Sequence, residues 1–204
     1  MNPIDLTTLI PRCHEASKAN GWWEPRPYAG QQLMLVVSEL SEALEADRTG
    51  KRANMSGMKA ETAYIASLAG EDTNWGKERW AIAFRGFVKD SVEDELADAY
   101  IRLCDYAGGF ELGPPALLSA QLELLREKAS PNWPASNLGE ALLRITKQVV
   151  GIAPDKANTA FTYCKALSLL EMLCASQGID LATHIDLKLA YNATRGQKHG
   201  NKAY

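Results

Sequence analysis

With 204 residues, 46% of them hydrophobic and 23% charged, the chain has the make-up of an ordinary globular domain long enough to bury a substantial core. Its net charge of −3 gives no overall electrostatic drive toward nucleic acid or an anionic membrane, so an anionic ligand would have to be met by local basic groups or a metal. Four cysteines, Cys13, Cys104, Cys164 and Cys174, lie scattered without CxxC spacing and read as buried thiols in a reducing compartment.

The N-terminus shows no basic segment leading into an apolar one, and the longest apolar run, Leu33 to Val37, is far too short to span a bilayer. One soluble cytoplasmic domain over residues 1–204 is therefore expected. The first helix is predicted over about Asp5 to Asn20, with Leu6, Leu9, Ile10, Cys13 and Ala16 on one side and Gly21 as its stop. The following Trp22-Trp23 pair sits in a Pro-rich turn, where an indole can offer a flat face to a base or anchor the packing. His14 reads as structural, because nothing near it has metal-ligand spacing.

A long helix is predicted next, from about Tyr28 to Arg48, capped at Gly50 and followed at once by Lys51-Arg52. Those bases stand where phosphates can reach them, or simply complement the helix C-terminus. Two short helices, Met55 to Ala69 and Trp75 to Phe87, flank the polar turn 70–74. A second acidic helix is expected over Val88 to Ala107, with Gly108-Gly109 ending it.

The two long helices share one pattern. Glu39 with Glu42, and Glu95 with Asp98, are carboxylate pairs three residues apart, hence neighbours on one helical face. At about 100° per residue, the apolar stripe of each helix lies beside its first acid, and the second acid falls at about 300°. Each pair alone reads as a solvated face. Two pairs in matched phase predict instead that the helices meet and converge four carboxylates, a cluster tolerable only around a cation. Oxygen ligands without Cys or His select Mg²⁺, with Mn²⁺ as an alternative.

Beyond Gly113 helices are expected from Pro115 to about Lys128, from a capping box at Asn137 and Glu140 to Val150, and from about Asp155 to Ser176. A faint echo aligns 98–112 with 165–181, the second copy having lost the acids, so that 111–180 reads as a helical insertion or a degenerate repeat. The last helix, about Ile179 to Arg195, carries Lys188, Asn192 and Arg195 on one face and leads into the basic tail Lys198, His199 and Lys202. Such a stripe suits a polyphosphate, with an ordinary solvated helix end as the alternative.

Three blocks, 38–48, 89–98 and 188–200, resemble the all-α nucleoside triphosphate pyrophosphatases of the MazG-like and dimeric dUTPase group. The resemblance implies a helical bundle with extra helices before the terminal one. It also implies Mg²⁺ held by Glu39, Glu42, Glu95 and Asp98, a nucleotide contacted by Lys188, Asn192 and Arg195, and release of a nucleoside monophosphate and pyrophosphate. Lys51 and Trp22 complete the candidate substrate contacts, and Glu45 and Asp94 compete as the residue orienting water. A homodimer or larger homo-oligomer is implied, with no nucleic-acid or membrane partner. Ser38 departs from the pattern, which commonly has Glu there. The competing readings are an enzyme restricted to dUTP or dCTP and a non-catalytic helical module that binds nucleotides or a protein partner. A di-iron bundle is disfavoured, since no Glu stands three residues before a histidine.

Overall fold

A computed structural model describes residues 4–68, 73–128, 137–153 and 158–197. The predicted loop 130–134, the start of a helix at Asp155, most of the turn 70–74 and the basic tail at Lys198, His199 and Lys202 lie outside the described residues. Among those described the protein is all-α: α1 (Leu6–Ala19), α2 (Ala29–Arg48), α3 (Met55–Leu68), α4 (Asn74–Phe87), α5 (Val92–Gly109), α6 (Pro115–Glu127), α7 (Leu138–Val149), α8 (Thr159–Ser176) and α9 (Leu181–Ala193). No described helix is long and apolar enough to cross a membrane.

Local signals set most boundaries. Asp5 caps α1 by accepting from the Thr7 N–H, Asn137 caps α7 by accepting from Glu140, and Gly21, Gly50 and Gly178 close their helices at positive φ. The expected start of α5 at Val88 is displaced. Val88 instead ends α4 by donating to Phe84, Asp90 turns the chain through a left-handed φ of 59°, and Ser91 caps α5 by accepting from Asp94. The far end differs too, since Gly108 and Gly109 belong to α5 rather than stopping it. A Cβ on Gly109 would lie 1.8 Å from the Trp23 indole, and one on Gly108 would lie 2.8 Å from His14. These glycines serve close packing.

Helices α2, α5, α8 and α7 pack in a closed ring, each on the next, as a four-helix bundle. Outside it, α1 lies on α5, α6 lies on α8, and α1 touches α6. One core joins all six to α9, from Leu6 and Val36 through Leu103 and Leu122 to Leu167 and Ile185. A smaller core of Met58, Ala81, Ala83, Phe84, Val88 and Tyr191 seats the α3–α4 hairpin, where Phe84 and Tyr191 stack at 4.4 Å. Helix α9 also packs along α5 and α1. All four cysteines are buried free thiols.

Candidate metal and anion site

The tight α2–α5 contact brings the two acid pairs together at the wall of a cavity of about 220 Å³. Its lining comes from α1, Trp22, α2, the Lys89-Asp90 turn, α5, α9 and Arg195. Glu39, Glu42, Glu95, Asp98, Lys188, Asn192, Arg195 and Trp22 all line it, so eight of the nine residues expected from sequence to contact metal or substrate meet in one place. The ninth, Lys51, stands outside and reaches the rim only through Asp90, at 3.4 Å.

The acids are placed deeper than a flanking position. On α2 the buried face runs through Gln32, Leu33, Val36, Glu39, Leu40, Ala43 and Ala46, so Glu39 lies within it. That face takes in Ala43 and Ala46, whereas Val37 is half-buried and Leu44 is exposed. Glu95 likewise sits inside the buried face of α5, only 3% exposed. Glu42 is the exposed member, held by the Ser38 hydroxyl, which donates to its Oε1 at 3.2 Å. Carboxylate oxygens of Glu39, Glu42 and Glu95 all fall within 4.8 Å of one another. Asp98 is not in that set, although it lies one turn along α5 from Glu95. It pairs with Lys188 Nζ at 3.2 Å.

Burial governs the electrostatics. Loss of hydration pushes Glu95 up to about 9, with Asp94, Glu39 and Asp98 adding repulsion that Lys188 only partly offsets. Glu39 is raised chiefly by burial and next by Asp98, while Arg102 works the other way. Burial also acts to raise Asp98, but Lys188 and Arg102 beside it prevail and hold it below the usual carboxylate range. Lys188 stays charged despite its burial because Asp98, Asp94 and Glu95 surround it. A cluster that cannot ionise fully alone, built of oxygen donors only, has the chemistry of a hard divalent cation site, and the donor set fits Mg²⁺ or Mn²⁺.

Two residues decisive for this geometry carried weak sequence signals. Arg102, one turn beyond Asp98, lines the cavity and donates to Glu39 Oε1 at 2.6 Å; its i+4 spacing from Asp98 was the available clue. Asp94 is 1% exposed and accepts from Lys188 at 2.9 Å and from the Asp90 N–H at 3.0 Å. Neither candidate for orienting water is among the lining residues: Asp94 is buried behind Lys188, and Glu45 is exposed and pairs with Arg48 at 2.6 Å. The adjacent tryptophans are placed differently. Trp22 lines the cavity, whereas Trp23 packs edge-on to His14 at 4.7 Å and donates to Asp105 at 2.9 Å. His14 Nδ1 bonds the same Asp105 oxygen at 2.8 Å.

The cavity thus has an acidic end on α2 and α5, a cationic side made by Lys188, Arg102, Arg195 and Lys89, and a third wall of Ser17, Asn20, Trp22 and Asp105. No family model, curated protein or solved structure matches the chain. All-α is the fold class that the coordinates establish, and function rests on the cavity.

Proposed function

We propose that this protein is a Mg²⁺-dependent, cytoplasmic nucleoside triphosphate pyrophosphohydrolase of the MazG-like kind, converting a (d)NTP and water to the monophosphate and pyrophosphate. The observation that carries the reading is the convergence of Glu39, Glu42 and Glu95 within 4.8 Å in a cavity also lined by Lys188, Asn192, Arg195 and Trp22. A homo-oligomer is part of the proposal. Sedimentation velocity at micromolar concentration tests that part, and a monomer there would remove it.

Glu39, Glu42 and Glu95 would hold the cation, with Asp98 beside them. When bound, it would neutralise phosphate oxygens and lower the pKa of a water. Arg195 offers planar donors suited to phosphate, and Asn192 a donor and acceptor for sugar or base. Trp22, across the cavity, can lie against a base. Glu42, the exposed acid, faces the solvent through which substrate enters. A panel of ribo- and deoxyribonucleoside triphosphates with Mg²⁺, assayed for monophosphate and pyrophosphate, tests the reading. Turnover of dUTP or dCTP alone would narrow it to a pyrimidine-restricted enzyme, and no product from any nucleotide would end it.

A second reading, a non-catalytic nucleotide- or partner-binding module, has one observation in its favour. Two of the four acids already carry protein cations, Arg102 on Glu39 at 2.6 Å and Lys188 on Asp98 at 3.2 Å. Calorimetry showing nucleotide binding without turnover, unchanged by Glu39→Gln, would select it.

A further inference from the structure

Resting on the hydrolase reading, we propose that Lys188 is a positioning residue: a built-in cation that withholds Asp98 from the carboxylate cluster until an anionic ligand draws the ammonium away. A lysine only 5% exposed is rare unless it is paired, and this one is paired twice, with Asp94 at 2.9 Å and Asp98 at 3.2 Å. Asp94 fixes it in place. That carboxylate is itself held at the start of α5 by the Asp90 N–H, and its backbone is tied to the Ser91 cap.

The contrast with Arg102 defines the role. Arg102 binds Glu39, yet Glu39 stays among the three acids whose oxygens lie within 4.8 Å. Lys188 binds Asp98, and Asp98 is absent from that group; its other partner, Asp94, converges with Asp90 and Glu95 instead, so among the acids that line the cavity beside Glu95 it is Asp98 that the ammonium holds apart. An ammonium has three protons to donate, and two carboxylates leave room for one further acceptor. Because Lys188 lines the cavity, an oxygen of a bound phosphate can be that acceptor. Each step of the ammonium toward the ligand weakens its hold on Asp98. Cation loading thereby becomes coupled to the presence of substrate, and the free protein is kept from filling its acidic end with metal.

The test is Mn²⁺ binding to the full chain, by calorimetry and electron paramagnetic resonance, with no nucleotide present. Asp94→Asn with Lys188→Met removes one negative and one positive charge together, leaving net charge unchanged and replacing a buried pair by neutral groups, a change cores tolerate. If Lys188 withholds Asp98, this double variant binds Mn²⁺ about tenfold tighter or more, and adding Asp98→Asn abolishes the gain. A double variant no tighter than wild type overturns the proposal. Lys188→Gln, for which the same gain is expected, covers a double variant that does not fold, and an unchanged affinity there overturns the proposal equally. Pyrophosphate release by the same wild-type preparation separates the failures. Turnover with no gain in the variants sinks the Lys188 role alone, whereas neither Mn²⁺ binding nor turnover by the wild type sinks both.

Discussion

The pair α2–α5 and the pair α7–α8 face each other in the bundle, and each has an outer helix, α1 on α5 and α6 on α8. Shifting α5 by 67 positions superposes its buried residues on those of α8: Val92 on Thr159, Leu96 on Tyr163, Tyr100 on Leu167, Leu103 on Leu170 and Tyr106 on Leu173. In that register Glu95 falls on Thr162 and Asp98 on the exposed Lys165. A shift of 102 places Val36, Leu40 and Ala43 on Leu138, Leu142 and Ile145, and sets Glu39 on Ala141 and Glu42 on Arg144. The same apolar frame therefore supports an acidic cavity on one side and a hydrocarbon seam on the other. Packing does not need the acids; Arg102 and Lys188 answer the charge on Glu39 and Asp98, and the proposed cation would account for the burial of Glu95.

The largest expected effect tests that division. Glu95→Gln should lower turnover by about a thousandfold, some 4 kcal/mol of barrier, in the nucleotide panel. Thr162→Ala, its partner in register, should leave turnover unchanged. Equal losses from both substitutions would show that the halves do not divide as described. Stability should move the other way in Glu95→Gln. Burial raises the folded pKa of Glu95 to about 9, above the unfolded value of 4.5, so the free protein loses stability as pH rises through that window. Urea midpoints of the free wild type should fall between pH 6 and 9 more steeply than those of Glu95→Gln, and parallel slopes would reject the shift.

A second substitution asks what charge does on the other side. Glu171 on α8 accepts from Arg126 Nε and Nη2 at 2.6 Å and from the Tyr100 hydroxyl at 2.7 Å, tying α8 to both α6 and α5. This network is structural, being complete within the protein. Glu171→Ala leaves the fully buried Tyr100 hydroxyl without its acceptor and the Arg126 guanidinium with only Glu123 and the Ile4 carbonyl, and should cost about 3 kcal/mol in urea denaturation. Its KM and kcat should remain near wild type once folded. A loss of turnover larger than the loss of folded protein would mean that the two halves are coupled.

Close approach is the next difference. Gly109→Ala drives a methyl into the Trp23 ring, with no side-chain end free to swing aside, and should cost about 1–3 kcal/mol with a shift in tryptophan emission. Ser176→Ala, at the same register on α8, changes an exposed side chain and should stay within about 0.5 kcal/mol. Comparable costs would show that Trp23 can give way.

These contrasts also mark how far sequence alone reached. Helix positions were legible because 3.6-residue periodicity, Asp5, Asn137 and the positive-φ glycines act locally. The acid pairs were legible because spacing alone sets their face. What failed was anything decided by a neighbour across the bundle. Gly108-Gly109 read as a stop because their real reason, His14 and Trp23, lies some 85 to 95 residues upstream. Lys188 read as a phosphate contact, and what stayed hidden was its pairing with Asp94, which could not be placed beside it from α9 alone. Arg102 was one turn from Asp98, yet nothing local says that it crosses to α2.

Helix α9 breaks the correspondence most plainly, since it seats on α5 and α1 and carries Lys188 to the acidic cavity. The smallest expected effect concerns how it is seated. His184, in its first turn, is 4% exposed, and its Nδ1 has no hydrogen-bond partner. Burial lowers its pKa below 6.5, and Glu93 from α5 and Asp180 from the α9 cap offset this only in part. The unfolded chain therefore takes up a proton near pH 6.5 that the folded chain refuses. Stability present above that pH is lost as pH falls toward the folded value. His184→Gln should remove this component, so its urea midpoint should decline less than that of wild type between pH 7 and 5. If the two decline together, the ring is charged in the folded state, and α9 is seated by ion pairs with Glu93 and Asp180 rather than by burial.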